Sequence, residues 1–171
     1  MVLDSQAANA FIGGYTKLMV EIHGSTGKKS KLLEVLAAAR ARFTADRSLI
    51  EPALASLAAR KEEISPSVVT AVKTLEVKQW VFLKDTRAYS VFVDPSGQAA
   101  YGVLGLTDRI RDITGGSGVL VETGVVRYLG RFVCDGILSG AVWLGRNYKA
   151  DFNDAFAKLR AQGQFHVKCE L

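Results

Sequence analysis

The hydrophobic period of this chain changes near Lys78, and that change constrains the fold more than any other feature. Before it, apolar residues recur every three to four positions, as on one helix face. After it they come in short blocks rich in aromatic and β-branched residues, separated by turn signals. Helices first and strands later is the order of an α+β protein, not of an alternating α/β sheet. The chain is expected to form about four helices over 1–75, then a mainly antiparallel sheet or small β-barrel over 76–171, closed by a C-terminal helix. The helical segment either packs on the sheet or extends from it, where it is available for self-association into a homo-oligomer.

Each helix carries its own punctuation. From Ala7, the residues Phe11, Tyr15, Leu18, Met19 and Ile22 form one stripe, and Gly24 suits a left-handed C-cap. After the polar loop Gly24–Ser30, a second helix is expected to turn Leu32, Val35, Leu36, Ala39 and Phe43 inward, with Lys31, Arg40 and Arg42 on its flanks and outer face. A third starts near Glu51 with Pro52 in its first turn and Ala53, Leu54 and Leu57 inside. Ser65 and Pro66 are the N-cap and first position of a fourth, with Val69, Val72 and Leu75 as its buried stripe.

The β region opens with a three-stranded meander, turned at Lys84–Arg87 and at Asp94-Pro95-Ser96-Gly97. A short helix near 108–113 follows, with Thr107 as N-cap and Ile110 and Ile113 toward the core. Leu129-Gly130 then closes a two-residue hairpin that pairs Val126 with Val133 and Val125 with Cys134. Those pairs face opposite ways and both are apolar, so this hairpin is expected to be covered on both sides. A last helix near 148–162 carries Tyr148, Phe152, Ala155, Phe156 and Leu159, and Gly163 ends it.

Composition narrows the function classes. With 171 residues, 49% of them hydrophobic and 23% charged, the chain can bury a core and is not a disordered tail. Its two cysteines, Cys134 and Cys169, exclude a disulfide framework and fit a reducing compartment. The opening residues lack the basic start of a signal peptide, and the longest nearly uncharged stretch, 136–145, is far short of the roughly 20 residues of a membrane span. A soluble, cytoplasmic chain that stays off membranes is the expectation. Net charge is +5, shared between the two halves instead of gathered in a tail, and the pI is near 9.3. That balance permits a polyanionic partner without demanding one.

Several stretches have the residue types of a site. Gly115–Gly118 resembles a phosphate loop in composition, but no lysine follows, and the glycines come after a helix where phosphate loops precede one. They read first as a C-cap and linker. The loop Gly24–Ser30 has glycines and lysines before a helix, yet also misses the phosphate-loop spacing. Arg127, Tyr128 and Arg131 place basic and aromatic groups at a hairpin tip, where arginine can hold phosphate and an aromatic ring can stack on a base.

Cys134 is a nucleophile only if a base or another group lowers its pKa, and Asp135, if buried, must be paired. His166 and Cys169 could supply two ligands of a metal site that usually needs four. No complete catalytic set, cofactor motif or metal set emerges. The expectation is a non-enzymatic binding protein for an anionic ligand such as nucleic acid or a nucleotide, through Arg109, Arg111, Ser117, Arg127, Tyr128, Arg131 and Asp135. The alternative is a small enzyme with a pocket around Gly115–Gly118, Cys134 and Asp135. Convergence of Arg109, Arg111, Arg127, Arg131 and Arg146 on one face favours the first; a histidine beside Cys134 and Asp135 favours the second.

Overall fold

The computed structural model describes residues 1–24 and 31–170. Six helices and a six-stranded mixed sheet are present among them, with four helices before the first strand, one between the third and fourth strands and one between the fifth and sixth. Most of the polar loop expected at Gly24–Ser30 lies outside the described residues.

α1 (Ser5–His23) is capped by Asp4, whose carboxylate accepts from the Ala7 N–H, and it buries all five residues of its expected stripe. α2 (Leu32–Ala45) is displaced from expectation. Leu32 and Leu33 stay 57% and 59% exposed, while Arg40 is buried beside Ala39 and Phe43. Arg40 follows Leu36 by four residues, so it occupies a position on the apolar stripe, and its charge must be answered inside. A 3₁₀ turn (Arg47–Leu49) leads into α3 (Ile50–Ala59), which buries Ile50, Ala53 and Leu57. α4 (Pro66–Lys73) starts where expected, but its buried residues are Val68, Ala71 and Val72, and Ser65 makes no side-chain cap.

β1 (Glu76–Asp85), β2 (Ser90–Val93) and β3 (Ala100–Leu104) form the expected antiparallel meander. α5 (Ile110–Thr114) follows, then β4 (Val119–Tyr128), β5 (Arg131–Trp143), α6 (Arg146–Ala161) and the two-residue β6 (Phe165–His166). The sheet is mixed, because β3 lies parallel to both β5 and β6. Five strands pair in a closed circuit, β1 with β2, β2 with β3, β3 with β5, β5 with β4 and β4 with β1. The β4–β5 register pairs Val125 with Cys134 and Val126 with Val133 around Leu129 and Gly130, which both have positive φ. Those are the φ values of the tight hairpin turn, and leucine is an uncommon residue to hold one.

Alternation along the strands sorts side chains into three cores. Trp80, Phe82, Phe92, Val103, Val121, Val125, Phe132 and Cys134 pack together within the circuit, joined by Ile110 of α5. Leu104, Val126, Tyr128, Val133 and Ile137 point outward and meet Phe11, Leu18, Phe43 and Val72 of the helices. Val81, Leu83, Val91 and Val93 form the other outer face, under Phe156 and Leu159 of α6. Each fully buried large apolar side chain contributes about 1.5–3 kcal/mol, so the two helical covers hold the sheet from both sides. Besides Leu32, two more expected core residues stay outside: Ile113 is 49% exposed and Tyr148 is 66% exposed. No helix among the described residues is long and apolar enough to cross a membrane.

Candidate functional site

Where the helices meet the sheet, a buried ion pair joins α2 to β5. Arg40 Nη1 lies 3.0 Å from Asp135 Oδ2, and also donates to the Ile137 carbonyl at 2.8 Å. Tyr15 of α1 donates to Oδ2 at 3.2 Å. The backbone N–H groups of Ile137 and Gly124 donate to Oδ1 at 3.0 and 3.3 Å. Thr123 Oγ1 donates to the Ile137 carbonyl at 3.0 Å and touches Cys134 Sγ at 3.2 Å. The Asp135 side chain has no exposed area, and both oxygens are answered. Burial pushes its carboxyl above the usual carboxylate range, with the Arg40 guanidinium and the Ile137 N–H acting the other way. Burial, reinforced by the Asp135 charge, raises the Tyr15 phenol.

Gly124 is a necessary part of this cluster. A Cβ there would overlap the Asp135 carboxylate and the Leu75 side chain. An isolated glycine inside a strand signals such an approach, and it stands in plain view in VLVETGVVRY. In the sequence Tyr15 reads only as a residue of a helix stripe, and Arg40 only as a charge of the flanks and outer face of its helix.

Cys134 and Asp135 do line one cavity, of about 220 Å³, with Ile12, Leu33, Leu36, Leu106, Ile110 and Ile113 among its aliphatic walls. No histidine lines it. Burial pushes the Cys134 thiol up to about 12, so it stays protonated near neutral pH and is unsuited to nucleophilic attack. His23 ends α1, and His166 lies on β6 against Tyr101. Among the described residues, no three His, Cys, Asp or Glu side chains are placed to hold a metal ion.

The expected arginines divide between the two ends of β4. Arg127 and Arg131 flank the hairpin beside Cys169, whose N–H donates to the Gly130 carbonyl. Burial raises the Cys169 thiol pKa, and the two arginines oppose that shift. Tyr128 is buried, its ring on Phe11 and its hydroxyl donating to the Ala7 carbonyl, so no base can stack on it. The ten residues of β4 put the other end about 30 Å away.

At that far end lies the glycine loop. Gly115 caps α5 in the left-handed conformation, as its place after a helix implies. Gly116 lies under the Trp143 ring, Ser117 follows it, and the Gly118 N–H donates to the Phe82 carbonyl. The loop lies away from the Arg127–Arg131 hairpin.

The same end carries an open concavity of about 520 Å³, lined by Met1, Asp85, Thr86, Arg87, Arg109 and Arg111. Among the described residues Arg87 and Arg109 make no ion pair, and Arg111 Nε stands 3.7 Å from Asp85 Oδ2. Three guanidiniums and one carboxylate leave the wall strongly cationic. Arg87 and Asp85 read in sequence only as turn residues. They join Arg109 and Arg111 because the β1–β2 turn and α5 meet at this end of the sheet. Comparison with protein-family models, curated proteins and solved structures returns no match.

Proposed function

We propose that this chain is a binding protein for an anionic, phosphate-bearing ligand, a nucleotide or nucleic acid being the class that its arginines address. The observation that carries the reading is the single concavity lined by Arg87, Arg109 and Arg111. Guanidinium groups grip phosphate oxygens in pairs, and two of these three are free of ion pairs among the described residues.

The closed circuit of strand pairings supports taking the sheet as a small barrel, which gives the concavity a rigid rim. Five-stranded barrels of the OB type bind oligonucleotides across the outer face of strands 2 and 3. Here α6 covers that face, which directs a ligand to the end of the sheet. The protonated, core-packed Cys134 counts against the enzymatic alternative.

Titration with ATP and with a short single-stranded oligonucleotide at low salt tests the reading. Affinity should fall steeply as salt rises, roughly in proportion to the phosphates contacted. Replacing Arg87, Arg109 and Arg111 together by alanine should weaken it by about tenfold or more. Undetectable binding of both probes at low salt overturns it.

A further inference from the structure

Asp85 makes the arginine concavity more selective than a plain cationic patch. Its side chain is only 10% exposed, at the end of β1. Oδ1 accepts from Ser90 Oγ at 2.7 Å. Oδ2 is shielded from solvent and takes no hydrogen bond, with Arg111 Nε 3.7 Å away. A buried carboxylate oxygen without a donor is costly, and a ligand that brings one is favoured. A bare phosphate would place a second negative charge near Asp85 and leave Oδ2 unanswered. A phosphate monoester that also carries hydroxyl groups answers both features: its phosphate draws the half-exposed Arg111 away from Asp85, and a hydroxyl donates to the Oδ2 that this uncovers.

Resting on the anionic-ligand reading above, the geometry points to a sugar phosphate, a phosphate monoester bearing free hydroxyls, as the ligand of this concavity. Asp85 is then the specificity residue, while Arg87, Arg109 and Arg111 supply affinity.

Calorimetric titration of the full chain with ribose 5-phosphate and with methyl phosphate separates the two contributions. Both are monoesters, and only the first carries hydroxyls. Ribose 5-phosphate should bind about tenfold tighter, the worth of one good hydrogen bond to a charged acceptor. Asp85→Asn keeps the side-chain shape and an acceptor for Ser90, and its thermal melt reports that the fold is kept. In that variant the preference should shrink to about twofold or less, with methyl phosphate bound as well as before or better. Arg87→Ala/Arg109→Ala should weaken both probes alike. Equal affinities in the unaltered chain, or a preference that survives Asp85→Asn, overturn the sugar-phosphate assignment and leave the anionic reading standing. Failure of both probes to bind overturns the concavity as a site altogether.

Discussion

Asp135 and Asp85 are both carboxylates withdrawn from solvent, and their surroundings differ in one respect. Asp135 sits between two layers, and every lone-pair direction is met by Arg40, Tyr15 or a backbone N–H. Asp85 sits at an edge, with one oxygen answered by Ser90 and the other left among arginines that face solvent. A satisfied buried charge ties elements together and is indifferent to what lies outside. An unsatisfied one keeps a preference that only something from outside can meet. On the reading proposed above, the difference separates a structural acid from one available for recognition, although both are aspartates of strands.

The largest effect expected from breaking this contrast lies at Asp135. Arg40→Ala or Asp135→Ala should each cost about 3–5 kcal/mol in urea unfolding, because each strands a buried charge. Arg40→Met/Asp135→Leu should be less damaging than either single change, since it removes both charges. If Arg40→Ala/Asp135→Ala costs as much as the sum of the two alanine singles, the pair is not coupled as described. Gly124→Ala comes next, at about 1–3 kcal/mol, because its methyl group would push into the carboxylate and Leu75. Asp85→Asn should change stability by less than about 1 kcal/mol, since the Ser90 hydrogen bond survives. A loss as large as that at Asp135 would mean that Asp85 is structural after all.

The smallest effect belongs to a third carboxylate, Asp94, which sharpens the comparison by its exposure. Partial burial works against its ionised form, but Lys78 and Ser96 prevail and hold its carboxyl at about 2, below its ordinary 3.8. A carboxylate lowered on folding stabilises the fold above the unfolded value, and that stability is lost as pH falls toward 2. Asp94→Asn should thus be less stable than the parent near neutral pH, by about 1 kcal/mol or less. The two urea midpoints should merge near pH 2, and a gap that widens on acidification would contradict the assignment.

Local signals in the sequence placed much of the fold. The change of period marks the junction between α4 and β1 to within a few residues, because both periodicities are properties of neighbouring side chains. Leu129-Gly130 located the hairpin and Gly115 the helix cap for the same reason. The parallel partnerships of β3 with β5 and β6 were not legible, since nothing local marks which distant strand will lie alongside. Arg40 was misplaced because a charge reads as surface unless its partner is known, and Asp135 lies far away in the chain. The expectation that a buried Asp135 must be paired held, because it rests on desolvation and not on location. The arginine concavity was half legible: Arg109 and Arg111 were candidates, but their union with Arg87 and Asp85 depends on topology.

β3 has one more property. Near its start it pairs with β6, and just past its end Gly105 bridges to Val2. Segments near positions 2 and 165 are thus fastened to one strand and the residue after it. The consequence is one of timing. The pairing around β3 cannot be completed until residues near position 166 have left the ribosome, whereas its pairing with β2 joins neighbours in the sequence. Pairing between segments so far apart must first meet the entropy of closing the chain between them, which slows the completion of a sheet.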